Sequence, residues 1–360
     1  MNNITVIGAG NSGLATAAYL SINGHSVRLW NRSKSTIKKL INTKLIHLKG
    51  IINQDAKLDI VTTDIVKATR DTALIMVTTP ATSHVSIANL LSKTLDPHVP
   101  IILNPGRTFG ALDFGNTLSS TNSKIPTIAE TQTIVFTCRK TSEDTSIILA
   151  MKKGVLISTL RKNDITSLIN SIPACLKDNF KPTNSMLLTS IGNVGMILHC
   201  APVLLNAGWI ECETASFKYY YSGITKTISE FLQKVDDERV QVSKALCSPV
   251  ESLIGWLKRS YNAKGKNLYD CIHDVKSYET IDAPRTLQHR YIFEDIPTGL
   301  VPLEALGLKL GLSMKYTSII IDLAHMLLNT DFRESGRNLT NLELNMLSTD
   351  ELIEKLSNRN

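Results

Sequence analysis

Apolar residues fall in short blocks along the first half of the chain and in long helical stripes along the second. Ile4-Thr5-Val6-Ile7 has the look of a buried strand and stops at Gly8-Ala9-Gly10-Asn11-Ser12-Gly13. Leu14-Ala15-Thr16-Ala17-Ala18-Tyr19-Leu20 then carries small apolar residues at helical periods, and Gly24-His25 turns the chain into Ser26-Val27-Arg28-Leu29-Trp30. The pattern predicts strand, tight turn, helix, strand. After a variable stretch, Asp59-Ile60-Val61-Thr62 and Ala73-Leu74-Ile75-Met76-Val77 predict further buried parallel strands. The latter leads through Thr78-Thr79-Pro80-Ala81 into a helix carrying Ile87, Leu90 and Leu91. Pro100-Ile101-Ile102-Leu103 ends in Asn104-Pro105-Gly106-Arg107, and Ile125-Pro126-Thr127-Ile128-Ala129 ends in Glu130-Thr131-Gln132. Both endings put polar groups at one edge of the sheet. Between Thr133 and Ser158, β-branched alternation predicts antiparallel extensions that close a first domain.

Polar turn residues at Lys181-Pro182-Thr183-Asn184 set the expected boundary, with residues 1–183 in one domain and 184–360 in the other. Between Lys181 and Glu211 there is no Lys, Arg, Asp or Glu, a run long enough to cross a bilayer. Pro182, Asn184, Asn193, His199, Pro202 and Asn206 interrupt it, and it lacks strongly basic flanks. A buried helix at the heart of the second domain is therefore expected, and no membrane segment. Phe217, Tyr220, Ile224, Ile228, Phe231, Val235, Val242 and Leu246 keep helical steps and predict one long helix stopped by Pro249, its stripe assigned to core. The rest reads as helical. Ile319-Ile320-Ile321-Asp322-Leu323 could supply a homodimer face as readily as a core.

Composition changes this picture little. At 360 residues the chain is long for one core, and its 43% hydrophobic and 20% charged residues describe an ordinary folded protein. The net charge of +7 comes from scattered Lys and Arg rather than an arm or block, so no nucleic-acid partner is expected. A mild positive balance suits an enzyme that collects anions. Six cysteines form no C-x-x-C pair and no zinc-ligand spacing; no metal site is expected, and reduced thiols in the cytoplasm are. The N-terminus lacks a basic leader region and its first apolar run is taken up by a strand, so no signal peptide is expected.

The candidate chemistry begins at the glycines. G-x-G-x-x-G spacing occurs by chance, but here a strand precedes it and a helix follows, which predicts a Rossmann-type α/β domain with a parallel sheet. Gly8 would permit the turn, Gly10 would admit a pyrophosphate, and Gly13 would let helix and strand pack closely, with Asn11 and Ser12 between them. Free N–H groups and the dipole at the helix start favour phosphate. The second strand ends at Asn31-Arg32-Ser33-Lys34 with no acid to accept the adenosine ribose hydroxyls. Arg32, Ser33 and Lys34 suit a 2′-phosphate, so NADP(H) is favoured over NAD(H); the alternative is Asn31 bonding the ribose of NAD. Pro80 lies on a loop expected to face the cofactor.

Asn193-Val194-Gly195-Met196-Ile197-Leu198-His199, Leu204-Leu205-Asn206-Ala207-Gly208, Tyr219-Tyr220-Tyr221-Ser222-Gly223-Ile224-Thr225 and Val235-Asp236-Asp237-Glu238-Arg239 follow in series. Then come His289-Arg290-Tyr291-Ile292-Phe293-Glu294-Asp295-Ile296-Pro297-Thr298-Gly299-Leu300-Val301-Pro302 and the tail from Asp331-Phe332-Arg333 to Gly336-Arg337. With Asn104-Pro105-Gly106 and Glu130-Thr131, these motifs resemble the opine dehydrogenases of the octopine/nopaline dehydrogenase type over nearly the whole chain. The resemblance implies an all-α C-terminal domain. It also implies a reaction in which an L-amino acid and an α-keto acid such as pyruvate form an imine that takes a hydride from NAD(P)H, giving an N-(carboxyalkyl)amino acid.

Carbonyl-derived carbons are reduced beside a group that gives and takes a proton near neutral pH, usually imidazole. His199 stands in an uncharged run, where a lone histidine is ordinarily a core residue; the resemblance makes it catalytic, with Asp295 as the carboxylate that orients it. It assigns Arg290 to the amino-acid carboxylate, against an ordinary ion pair as the alternative. Arg107 and Thr131 lie on sheet-edge loops and could hold the keto-acid end or the cofactor. Glu130 is open between substrate-amine contact and structural hydrogen bonding. Of the tyrosines 219–221, which cannot all face one way on a helix, Tyr220 is taken as site-lining. Cys200 stands where the family often has proline, Gly195 where asparagine is commoner, and Met314-Lys315 where Thr-Pro is frequent; these put substrate identity in doubt, not reaction class. A ketopantoate- or hydroxyacid-type dehydrogenase is the enzymatic alternative, although such enzymes generally rely on a lysine that this central helix lacks. A non-catalytic NADPH-binding sensor is the alternative outside enzymes.

Overall fold

A computed structural model describes residues 2–94 and 96–357. The chain divides into two compact units, the first running to Ser190 and the second from Ile191 to Ser357. The first unit holds strands β1 (Asn3–Ile7), β2 (Ser26–Trp30), β3 (Leu45–Gly50), β4 (Gln54–Lys57), β5 (Ile60–Thr62), β6 (Leu74–Val77) and β7 (Ile101–Leu103). It continues with β8 (Ile128–Thr131), β9 (Phe136–Ser142), β10 (Thr145–Met151), β11 (Val155–Thr159) and β12 (Phe180–Pro182). Among the described residues these form an eight-stranded sheet in the order β12-β11-β8-β7-β6-β1-β2-β5 and a four-stranded sheet β4-β3-β10-β9.

The large sheet is parallel except where β11 runs antiparallel to β8. Its strands read as continuous apolar runs because both faces are buried. β1 lies between β2 and β6, so successive connections leave it in opposite directions. Such a switch point opens a crevice at the carboxyl ends of the strands, where ligands of open α/β sheets bind.

The helix Asn11–Ile22 explains its own composition. Ser12 through Ala18 and Leu20 are all buried, and the surrounding core draws Val6, Val27 and Leu29 from the large sheet and Ile46, Leu48, Ala56, Phe136 and Ile148 from the small one. A helix enclosed by two sheets has no polar face, and small residues let both sheets approach. Residues 133–158 do supply an antiparallel pair, β9 with β10. That pair belongs to the second sheet, however, where β10 runs parallel to β3.

Two expectations about the second half are corrected. The uncharged run is not one helix: it breaks into Met186–Ser190, Gly195–Leu205 and Ala207–Ile210. Its apolar stretch Met186–Leu205 is 83% buried, as a core requires. The first piece belongs to the first unit, because Thr189 and Ser190 both donate to the Glu130 carboxylate. The expected boundary at 183/184 lies seven residues before Ser190, where this unit ends. Likewise the long helix begins only at Lys226, where the Thr225 hydroxyl accepts from Ile228 N, and ends at Ala245. Phe217, Tyr220 and Ile224 are buried but precede it. In the helix Lys315–Leu328, Ile320 and Ile321 are core, whereas Ile319 is 43% exposed.

The cradle makes two glycines unequal. A Cβ on Gly13 would stand 1.8 Å from the Gly8 carbonyl oxygen, whereas one on Gly10 meets nothing within 4 Å. Gly13→Ala is expected to cost upwards of about 2 kcal/mol in chemical denaturation through overpacking. Gly10→Ala, at a helix N-cap, should cost under about 1 kcal/mol. Equal losses would contradict this geometry.

Candidate functional site

The nucleotide cradle lies at the carboxyl ends of β1, β2 and β6. Gly8 has φ +107°, a left-handed conformation natural only to glycine, and packs against Thr78 and Thr79. Thr78 Oγ1 donates to the Ile7 carbonyl at 2.9 Å, and Ser12 Oγ donates to Thr78 O at 3.3 Å. Asn31 reaches back from β2: its Oδ1 accepts from Ala9 N at 3.1 Å, and its Nδ2 donates to Ser33 O at 3.0 Å. Asn11 Oδ1 accepts from Lys140 N at 2.9 Å. Gly10, Asn11, Arg32, Ser33 and Pro80 are exposed around this turn. The predicted cofactor residues thus gather at one sheet edge.

A dinucleotide fits this cradle on three counts. Space remains open above Gly10, the N-terminus of a buried helix lies beneath, and two buried polar atoms, Thr79 Oγ1 and Asn104 Nδ2, have no partner among the described residues. Buried polar groups of this kind ordinarily find a partner in water or ligand.

The next strand ends carry Arg107, Glu130 and Thr131. Arg107 and Phe109 adopt φ +61° and +58°, sparsely populated conformations that cluster at functional sites. Gly106 is pressed so closely on Glu130 that a Cβ there would stand 2.4 Å from the Glu130 Cβ. Glu130 is fully buried and accepts from Ala111 N at 2.8 Å and Thr189 Oγ1 at 2.7 Å, besides Ser190. Thr131 Oγ1 donates to Asn104 Oδ1 at 3.1 Å and Thr133 O at 3.0 Å. For Glu130 these contacts match the structural alternative, and together with those of Thr131 they shape the loop that carries Arg107.

One residue here was hidden in the strand pattern. Lys152 follows β10 and donates from Nζ to the Ile134 carbonyl at 3.0 Å. Burial pushes its ammonium down to about 8, with Cys138 opposing the shift and Arg107 adding to it. A second cation therefore sits in the electrostatic field of Arg107.

In the second unit, His199 Nδ1 and Asp295 Oδ2 are 2.7 Å apart across 96 residues of sequence. Asp295 is fully buried, and the His199 side chain keeps 17% of its surface. The imidazole stacks on Tyr291 with ring centroids 3.9 Å apart and planes 11° from parallel. Tyr219 donates to the His199 carbonyl at 2.7 Å, and Cys200 Sγ donates to Tyr291 O at 3.4 Å, so the cysteine in the proline position leaves the helix unbroken. Tyr220 stacks on Tyr278 at 4.0 Å and packs edge-on to Tyr219. Burial holds the Tyr219 and Tyr220 hydroxyls well above their ordinary range, in the protonated form. These tyrosines lie in a turn, not on the expected helix.

Asp295 is positioned by an irregularity. Residues Ile296–Leu300 form a π-helical turn between the helices Arg290–Phe293 and Val301–Lys309, a feature frequent at functional sites. A Cβ on Gly299 would stand 2.7 Å from the Met196 Cβ, so glycine lets this turn close onto the His199 helix one turn before the imidazole. Arg290 pairs with Glu294 at 2.9 Å while its side chain stays 44% exposed, so the ion-pair alternative is present and part of the fork still faces outward. Burial holds His289 below its ordinary value, with Arg290 and His199 adding to the shift and Asp295 opposing it.

The 235–239 motif is structural. Arg239, fully buried, donates to Asp236 at 2.8 Å, Ile191 O at 2.9 Å and Glu251 O at 2.7 Å. Glu238 accepts from Tyr316 N and Thr317 N at 2.8 Å each, capping the helix that starts at Met314-Lys315.

Comparison with known proteins follows the same division. The family described as NAD/NADP octopine/nopaline dehydrogenase, alpha-helical domain, matches residues 182–328, and the NAD-dependent glycerol-3-phosphate dehydrogenase N-terminus matches residues 3–105. An opine dehydrogenase of Arthrobacter sp. (strain 1C) is 35% identical over 345 residues, covering 95% of each chain. Octopine dehydrogenase solved with NADH and L-arginine superposes with a TM-score of 0.78 at 16% identity, covering 98% of each chain. Yersinopine dehydrogenase with NADP+ bound gives 0.78 at 14% identity, over 99% of this chain and 98% of its own.

Two outcomes follow from this geometry. Gly299→Ala should lower stability by about 1–3 kcal/mol through the Met196 contact; an unchanged melting temperature would mean the π turn is not held by it. Because the Lys152 ammonium is depressed in the folded state, its cost is full below about 8 and is relieved as pH rises toward the ordinary 10.5. Lys152→Met should therefore melt higher than wild type at pH 7, with the gain shrinking across that window; no gain at pH 7 would contradict a desolvated ammonium.

Proposed function

Because the chain belongs to the opine dehydrogenase family, NAD(P)-dependent oxidoreductases acting on a CH–NH bond, we propose that it joins an L-amino acid to an α-keto acid such as pyruvate and reduces the resulting imine with NADPH. The observation that carries the reading is the His199–Asp295 contact of 2.7 Å with its carboxylate fully buried.

Condensation replaces a C=O by a C=N and releases water; reduction adds a hydride to carbon and a proton to nitrogen. A reduced nicotinamide, when bound, supplies the hydride. Everything else falls to side chains. Asp295 engages Nδ1 of His199, which fixes the tautomer and stabilises the imidazolium, leaving Nε2 to exchange a proton with substrate. His199 then gives a proton to the departing hydroxyl during condensation, takes one back from the nitrogen as the C=N forms, and returns it to nitrogen as the hydride reaches carbon. Arg290 is assigned to the amino-acid carboxylate through the part of its fork that Glu294 does not use, and Arg107 to the keto-acid carboxylate. Tyr220 lines the amino-acid side. Glu130 and Thr131 act by holding the Arg107 loop.

For the cofactor, Gly8, Gly10 and Gly13 with Asn11 and Ser12 would hold the pyrophosphate, while Asn31, Arg32 and Ser33 would take the adenosine ribose. The absence of an acid after β2 favours the 2′-phosphate form. Family relatives have been solved with either NADH or NADP+, so the choice rests on this chain's own residues. A cytoplasmic setting accompanies this reading.

Mass spectrometry of products from an amino-acid panel with pyruvate and other α-keto acids should show a reduced condensate that requires NADPH. His199→Ala should cut turnover by about 10²–10⁴-fold while NADPH affinity stays nearly unchanged. Neither turnover nor binding across the panel would overturn the reading, and full activity in the variant would reject the role of His199.

A further inference from the structure

The small sheet brings a cation to the nucleotide cradle that the cradle's own sequence does not contain. Its edge strand β9 lies across the start of the helix Asn11–Ile22: Cys138 Sγ donates to Asn11 O at 3.4 Å, and Lys140 N donates to Asn11 Oδ1 at 2.9 Å. That double attachment fixes where the Lys140 side chain leaves the strand. Its ammonium donates to the Ala9 carbonyl at 3.2 Å and to the Thr36 carbonyl at 3.5 Å. Ala9 is the second residue of the glycine turn, and its N–H is bound by Asn31 at the end of β2. Thr36 lies just beyond Arg32, Ser33 and Lys34. Lys140 therefore stands where the glycine turn meets the loop after β2.

We propose that Lys140 is a binding residue for the 2′-phosphate of NADP(H), delivered to the cradle by the β9 strand; this rests on the NADPH reading above. Three features favour it. First, an ammonium has three N–H donors and these carbonyls take two, leaving one for a ligand. Second, neutral carbonyls orient the cation without neutralising it, and a half-buried charge gains from an anionic partner. Third, the pyrophosphate already has the N–H groups of the helix start, whereas Thr36 belongs to the ribose side of the cradle. Arg32 and Lys34 are exposed by comparison, and Lys140 is the cation tethered in place. Burial lowers the Lys140 ammonium from its ordinary value, and Glu143 opposes that shift.

The test measures equilibrium binding of NADPH, NADH, adenosine 2′,5′-bisphosphate and 5′-AMP to wild type, Lys140→Met and Lys140→Arg. In Lys140→Met, affinity for NADPH and the bisphosphate should fall about tenfold or more, the scale of one charge-assisted hydrogen bond. NADH and 5′-AMP should change less than about twofold, which also shows that the cradle is intact. Lys140→Arg should recover most of the loss. Equal losses for NADPH and NADH, or no loss for either, overturn the proposal. The wild-type preference between the two cofactors tests the NADPH reading separately. A wild type that prefers NADPH, with that preference unchanged in Lys140→Met, rejects Lys140 alone. A wild type without preference rejects the NADPH reading, and Lys140 is then judged by whether Met shifts the ratio.

Discussion

A fully buried carboxylate against an imidazole is the constraint on which the second unit turns. Asp295 carries its charge out of water, and such a charge is tolerated only where hydrogen bonds or a cation offset the lost hydration. His199 Nδ1 supplies one partner at 2.7 Å. Holding it there requires two segments far apart in sequence to meet at close range, and each carries a device for doing so. The π turn after Asp295 presents Gly299 where a side chain would strike Met196, and Tyr219 ties down the backbone of His199 itself. Aromatic stacking on Tyr291 leaves the imidazole little freedom to rotate away. The geometry of the pair follows from this packing.

A second buried carboxylate does comparable work in the first unit. Glu130 gathers the starts and ends of several segments through Ala111, Thr189 and Ser190, and it sits under Gly106. It shapes the strained Arg107 loop at the sheet edge. The two carboxylates divide the labour: one holds the His199 imidazole, the other a scaffold.

Local pattern made the strand–turn–helix–strand opening legible, because each element there is read from neighbouring residues. It missed the small sheet, whose β3 and β10 pair across roughly half of the first unit, and whose short strands carry charged and exposed residues such as Lys49 and Asp55. Lys140 and Lys152 were missed with it, since a lysine in an alternating strand looks like an ordinary solvent-facing residue until the strand's neighbours are known. The helical stripe misled at Phe217, Tyr220 and Ile224 because buried turn residues can keep helical steps by coincidence; Gly223, where an added Cβ would stand 2.5 Å from the Tyr219 carbonyl oxygen, marks a tight turn there. Nothing in the run after Asn184 announces that Thr189 and Ser190 fold backward onto Glu130. No local signal links His199 with Asp295, residues so distant; motif resemblance alone pairs them in the sequence.

The reading of Asp295 as a residue that acts through His199 is tested most directly by kcat and KM of wild type and Asp295→Asn, with cofactor affinity followed in parallel. An amide in place of the carboxylate no longer orients the imidazole or stabilises the charge it gains in proton transfer, so kcat should fall while cofactor binding holds. A variant with the same kcat as wild type would contradict the account.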